Sequence, residues 1–220
     1  MMDVMKPLRG KALSVTGPMS PEALGKVMMH EHLQCDIYDW EKDELILAES
    51  PATPERRRFL LDNAVPALKE AREIYGLGAY CDVSMPPWRG WPDLYAEVSR
   101  ASGVPIIMAT GFYREVELGR YWAKTPDRQI WPFVREAPVE MLAEMCVREI
   151  SEGIHGTDIR AGCIKLGSST AQLTAAETKA FRAGARAQIA TGVHITTHCT
   201  GRGGETSQLK LLEEEGVDLR

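Results

Sequence analysis

The sequence lacks most of the features that would betray a specialised chain at once. Its 220 residues hold five cysteines, Cys35, Cys81, Cys146, Cys163 and Cys199, and no two of them form a C-x-x-C pair. An odd number without that spacing suggests neither a zinc knuckle nor a disulfide framework, and a reducing cytoplasm is the simplest expected location. No stretch approaches the ~18 apolar residues of a membrane span. Met1 to Lys11 lacks the apolar core of a signal peptide, so a soluble chain is expected. Basic residues never cluster beyond Arg56-Arg57-Arg58, which sits beside Glu55 and has the character of a solvated helix face. With 26 basic against 31 acidic side chains, neither nucleic acid nor a membrane is an expected partner. No G-x-G-x-x-G or Walker loop follows an apolar run; Gly201-Arg202-Gly203-Gly204 is glycine-rich but has neither the spacing nor the lysine.

What is present is an ordinary globular composition, 44% hydrophobic and 26% charged, in a length that suits one domain over residues 1–220. Five short apolar runs, at 25–30, 79–83, 105–109, 162–166 and 193–197, predict buried parallel strands. Helical segments lie between them. Residues 54–75 are amphipathic and stop at Gly76, with Pro66 expected to kink or split the helix. Residues 91–102 stop at Gly103, a C-terminal cap. Pro138 opens a helix in which Val139, Leu142, Cys146 and Ile150 recur at helical spacing, ending at Gly153. Thr174-Ala175-Ala176-Glu177 is a capping-box pattern opening a helix to about Thr191. A last helix is predicted near 207–215, before Gly216. Strand then helix, five times, implies a parallel α/β sheet with right-handed crossovers. An eight-fold barrel and an open doubly wound sheet both fit this rhythm; the missing phosphate loop argues against a nucleotide-binding version.

Chemistry concentrates at the strand ends. His30-Glu31-His32 places two histidines at i and i+2 on a strand, on one face and roughly 6.6 Å apart, where both rings can reach one metal. Two unrelated polar residues at a strand end would look the same. Lys165 closes an otherwise apolar strand, and a buried lysine is costly unless paired or neutralised. It either reaches solvent or a carboxylate, or becomes a carbamate, whose anionic oxygens bind cations as an ammonium cannot. His198 ends the fifth run in Thr196-Thr197-His198-Cys199 and is either a ligand or a loop histidine. His194 shares its strand phase but lies roughly 13 Å deeper, toward the amino-terminal end, and reads as structural. His155, between Gly153 and Gly156, reads as a turn residue.

The order H-x-H, then lysine, then histidine at successive strand ends resembles the phosphotriesterase family, including its phosphotriesterase-like lactonases, within the amidohydrolase superfamily. Met29-His30-Glu31-His32-Leu33, Ala109-Thr110-Gly111-Phe112-Tyr113, Glu152-Gly153-Ile154-His155-Gly156-Thr157, Thr196-Thr197-His198 and the run from Glu213 to Asp218 carry the resemblance, from about Gly10 onward. It implies a (β/α)8 TIM-type barrel with its active site at the carboxyl ends of the strands. His30 and His32 then look like ligands of the more buried of two divalent metals, Lys165 as the carbamate looks like the bridge, and His198 looks like a ligand of the more exposed metal. Zinc is the first expectation, with cobalt, iron or manganese as alternatives. The resemblance implies a metal-bridging hydroxide that attacks a lactone, a carboxylic ester or an organophosphate. Tyr113 resembles a substrate-side tyrosine of the lactonase branch and tilts the expectation toward lactones and carboxylic esters. Trp88 and Trp91 are candidates for lining the pocket, although loop tryptophans more often pack. Family members are often dimers, so a homodimer is the matching expectation.

The pattern also requires a histidine ending strand six and an aspartate ending strand eight, and no histidine follows His198. The sequence therefore predicts about five βα units with the C-terminal units missing, and a rival reading: an inactive truncated barrel that binds metal weakly or works only with a partner chain.

Overall fold

The computed structural model describes residues 8, 10–33, 38–39, 44–45, 53–85, 89–115 and 130–219. An antiparallel hairpin of β1 (Ala12–Ser14) and β2 (Gly17–Met19) leads into β3 (Lys26–Glu31). A second small hairpin joins β4 (Tyr38–Asp39) and β5 (Glu44–Leu45). Then follow α1 (Pro54–Tyr75), β6 (Leu77–Asp82), α2 (Pro92–Ser102), β7 (Ile106–Phe112), α3 (Ile130–Glu136), α4 (Val139–Ser151), β8 (Cys163–Ser168), α5 (Ala175–Thr191), β9 (His194–Cys199) and α6 (Gly204–Glu214). The five long strands form one parallel sheet in chain order, β3-β6-β7-β8-β9.

That order, with helices between successive strands, is the order of a (β/α) barrel, and the sheet is strongly curved. In a flat sheet β3 and β8 would stand roughly 14 Å apart, three strand spacings. Yet His30 Nε2 on β3 lies 3.0 Å from Lys165 Nζ on β8. Side-chain alternation divides the core accordingly. Cys81, Val83, Ile107, Ala109 and Cys163 form a small cluster joined almost entirely by strand residues, the packing of a concave interior. The large cluster joins the other strand face (Ile106, Met108, Ile164, Leu166) to helix residues such as Leu94, Leu142, Ile150 and Phe181. The central strands β7 and β8 are buried throughout, whereas β3 and β9 each pair on one edge only and are largely half-buried or exposed.

The predicted elements are found with shifted ends. All five strands are present, and β7 continues three residues past the predicted 105–109 because Gly111 can occupy it. Its φ is +118°, and a Cβ there would meet the Lys165 carbonyl oxygen at 2.1 Å. Only glycine lets the β7 and β8 backbones approach so closely beside the lysine. Gly76 and Gly103 cap α1 and α2 in the left-handed conformation, and Thr174 with Glu177 forms the full capping box of α5.

Two expectations are corrected, and three elements are added. Helix α1 runs unbroken through Pro66. That proline is exposed, so the carbonyl it deprives of a partner can face water, and Leu60 and Leu68 are buried on either side. The last helix starts at Gly204 rather than near 207, and within it Gln208 donates to Ser168 Oγ (2.7 Å) and to the His198 carbonyl (2.9 Å). The β1–β2 and β4–β5 hairpins and α3 have no counterpart in the sequence reading. Among the described residues no helix is long and apolar enough to cross a membrane.

Candidate metal centre

His30 lies on β3 and His32 just beyond it, Lys165 on β8 and His198 on β9. The rings of His30 and His32 are edge-on with centroids 5.8 Å apart. Lys165 Nζ sits 3.0 Å from His30 Nε2 and 3.5 Å from its Nδ1. His198 is close enough to Lys165 and His32 for both to depress its pKa, although desolvation contributes most. The four predicted side chains therefore lie near one another, His30, His32 and His198 at or just past their strand ends and Lys165 within β8, three residues before its end rather than at it. Tyr113, in the segment after β7, stacks obliquely against His198 with centroids 5.1 Å apart.

Electrostatics show what this cluster lacks. Lys165 is 1% exposed, and among the described residues no carboxylate pairs with it. Desolvation holds its amine down to about 8. His30 falls to about 4, through desolvation first and the Lys165 charge second. His32 is also lowered, with desolvation the main cause and Asp82 opposing it. Three imidazoles whose pKa values are lowered surround a buried amine that, among the described residues, has no carboxylate paired with it. That chemistry suits cations whose charge is balanced by converting the lysine into an anion. The fit to a metal is good.

Neighbours fix two of the rings. Ser84 Oγ engages His32 Nδ1 at 2.8 Å, so the lone pair His32 can offer a cation is on Nε2. Thr200 Oγ1 engages His198 Nε2 at 2.9 Å and also accepts from Arg114 at 3.0 Å, leaving His198 Nδ1 as its ligand atom. Behind Ser84 lies Asp82, 1% exposed, which accepts from the backbone N–H of Leu33 (2.6 Å) and Ser84 (2.8 Å) and from the Tyr95 hydroxyl (2.9 Å). Burial pushes the Asp82 carboxyl up despite these donors. Asp82 thus clamps both the segment carrying His32 and the serine that orients it. Asp82→Asn replaces one accepting oxygen with a donor facing donors. Chemical denaturation is expected to show a loss of about 2–3 kcal/mol, and cobalt affinity at the histidines to fall about tenfold or more. A variant unchanged in both would remove Asp82 from this role.

Sequence reading missed Asp82, Ser84, Thr200 and Gln208. Asp82 ends an apolar strand and carried a visible signal, since a carboxylate there requires donors; the others show none. Trp91 is 4% exposed within the main core, so it packs; Trp88 lies outside the described residues. His155 sits 3.3 Å from an Arg89 nitrogen. A cleft of about 520 Å3, lined by Ser14, Thr16, Asp93, Arg100 and Asp158 among others, lies at the amino-terminal side and contains none of the four converging residues.

Residues 10–220 match the model of the phosphotriesterase family. The chain belongs to that family. An N-acetyltaurine hydrolase of Tetraodon nigroviridis is 30% identical over 237 aligned positions, covering 98% of this chain and 64% of the relative. A phosphotriesterase homology protein of Escherichia coli (strain K12) is 29% identical over 203, covering 91% and 61%. The solved organophosphorus hydrolase from Deinococcus radiodurans superposes with a TM-score of 0.77 at 32% identity, over 95% of this chain and 59% of that one. The chain thus spans about three-fifths of the length of these relatives. The partial barrel seen here is the corresponding part of the phosphotriesterase fold.

Proposed function

We propose that this phosphotriesterase-family chain is a metal-dependent hydrolase of small esters: lactones, carboxylic esters or organophosphates. The observation that carries the proposal is the convergence of His30, His32 and His198 around the buried amine of Lys165, which pairs with no carboxylate among the described residues. His30, His32, His198 and Lys165, the last as its carbamate, would hold two divalent ions. Zinc suits these N/O ligands, as do cobalt, iron and manganese. The carbamate forms when the neutral amine attacks carbon dioxide: an N–C bond is made, one C=O electron pair moves to oxygen, and the nitrogen loses a proton to solvent. When bound, such ions supply a water of lowered pKa as nucleophile and polarise the substrate oxygen.

The remaining work falls to the chain itself. Ser84 and Thr200 orient the two rings they engage. Tyr113 keeps its proton, because burial raises its pKa above the usual value against the opposing effect of Arg114. With its ring tilted against His198, Tyr113 would serve as a hydroxyl donor for a lactone or ester oxygen. The relatives named N-acetyltaurine hydrolase favour a second reading, an amide bond. The test is turnover of a γ-lactone, an aryl acetate, an aryl phosphotriester and N-acetyltaurine by the metal-loaded chain. Lactone and ester hydrolysis are expected to lead, with Tyr113→Phe raising KM about tenfold, the effect of one lost hydrogen bond. Cleavage of N-acetyltaurine alone would move the assignment to amides, and turnover of none of the four would end it.

A further inference from the structure

We propose that Cys81, Cys163 and His194 form a further metal site, of zinc class, inside the barrel beneath the histidine–lysine cluster. These residues come from three strands, β6, β8 and β9, and their ligand atoms all lie within 4.8 Å of one another. Cys163 is paired in register with His194, two residues below Lys165 on the same strand face. That separates the two groups of ligands by roughly 6.6 Å along the strand.

The geometry suits coordination. The Cys81 and Cys163 sulfurs are 3.5 Å apart. Two thiolates on one tetrahedral zinc, with bonds of ~2.3 Å, stand about 3.8 Å apart. No large movement of the strands is needed to close on an ion. Both cysteines are fully buried, while His194 is half-buried and leaves one side approachable. A second observation points the same way: His194 Nε2 is buried without a hydrogen-bond partner among the described residues. A polar atom left in that state is costly, and such atoms in native interiors call for an explanation. Charge also balances. Two thiols lose their protons to solvent on binding, and the resulting thiolates neutralise a divalent ion, so the buried site carries no net charge close to Lys165. Soft sulfur with imidazole selects zinc over the hard cations, and three protein ligands leave a fourth position for water. The ion would staple β6, β8 and β9 from within.

This site is independent of the hydrolase reading, and cobalt(II) separates the two. Imidazole and carbamate ligands give no sulfur-to-cobalt charge transfer; thiolates do. The full chain, reduced and stripped of metal, is titrated with cobalt(II). We expect a near-ultraviolet charge-transfer band that saturates at one sulfur-bound cobalt per chain and is displaced by zinc. It should vanish in Cys81→Ser and Cys163→Ser and persist in Lys165→Ala. Circular dichroism checks that the serine variants fold. Should they not, X-ray absorption of the zinc-loaded wild-type chain decides, with a sulfur shell at ~2.3 Å expected. Cobalt-loaded wild type without the band, a band surviving both serine substitutions, or zinc with no sulfur neighbour would each overturn the proposal.

Discussion

Lys165→Ala is expected to remove hydrolysis, lowering kcat/KM by about 10³-fold or more, equivalent to about 4 kcal/mol of transition-state stabilisation. The physical reason is that this side chain stands where the other donors meet. It is 1% exposed, its nitrogen is 3.0 Å from His30, and it lies on the buried strand β8 rather than on a loop. Alanine deletes the amine nitrogen that would become an anion beside His30. Cobalt stoichiometry at the histidine site should fall in parallel. In wild type, carbon-13 dioxide should give a carbamate resonance that the variant lacks. Stability moves the other way: the variant loses a buried amine that pairs with no carboxylate among the described residues, so the metal-free chain should unfold no earlier than wild type. Turnover that survives Lys165→Ala would separate the chemistry from this residue. A fall in stability with full metal binding would make Lys165 structural.

Glu149→Ala is expected to cost about 3 kcal/mol, lowering the melting temperature by roughly 6–12 °C for a chain of this size. Arg89 is buried to 1% exposure and is held by two parallel bonds of 2.7 Å to the Glu149 carboxylate, with a third to the Ala109 carbonyl at 3.1 Å. Removing the carboxylate strands a guanidinium that cannot deprotonate. Burial pushes the Glu149 carboxyl up, but Arg89 outweighs it and leaves it below the ordinary range. The sign follows: the pair's stabilisation is complete above the unfolded glutamate value and is lost as pH falls through the depressed native one. Wild type should therefore approach the variant's melting temperature in acid. Arg89→Met combined with Glu149→Ala should recover much of the loss, because no charge is then left unpaired. A loss below 1 kcal/mol in the single variant would contradict this account.

The relation of sequence to structure differs between these residues. His30, His32 and Lys165 were visible as local signals, since two histidines at i and i+2 share a face in any strand and a lysine in an apolar run stands out, but each kept an ordinary structural reading; it was the order H-x-H, lysine, histidine, resembling the phosphotriesterase family, that joined them with His198. The capping box at Thr174 and Glu177 was legible from local spacing alone. What Glu177 does beyond capping was not. It is fully buried and also accepts from the backbone N–H of Glu115 and Ser169, tying together the segments that follow β7 and β8.

By itself, then, the sequence determined the five strands and the helix caps, since each depends on neighbours a few residues away, while the four site side chains were singled out by the order in which they resemble the phosphotriesterase family. Only the tertiary structure decided which of them touch, because curvature of the sheet brings β3 to β8 across intervening strands. The cysteines show the difference most clearly. Cys81 and Cys163 are 82 residues apart, too far for any spacing rule, yet their sulfurs lie 3.5 Å apart. A barrel interior collects one face of every strand at one place, and that convergence belongs to the curvature of the sheet rather than to any local pattern in the chain.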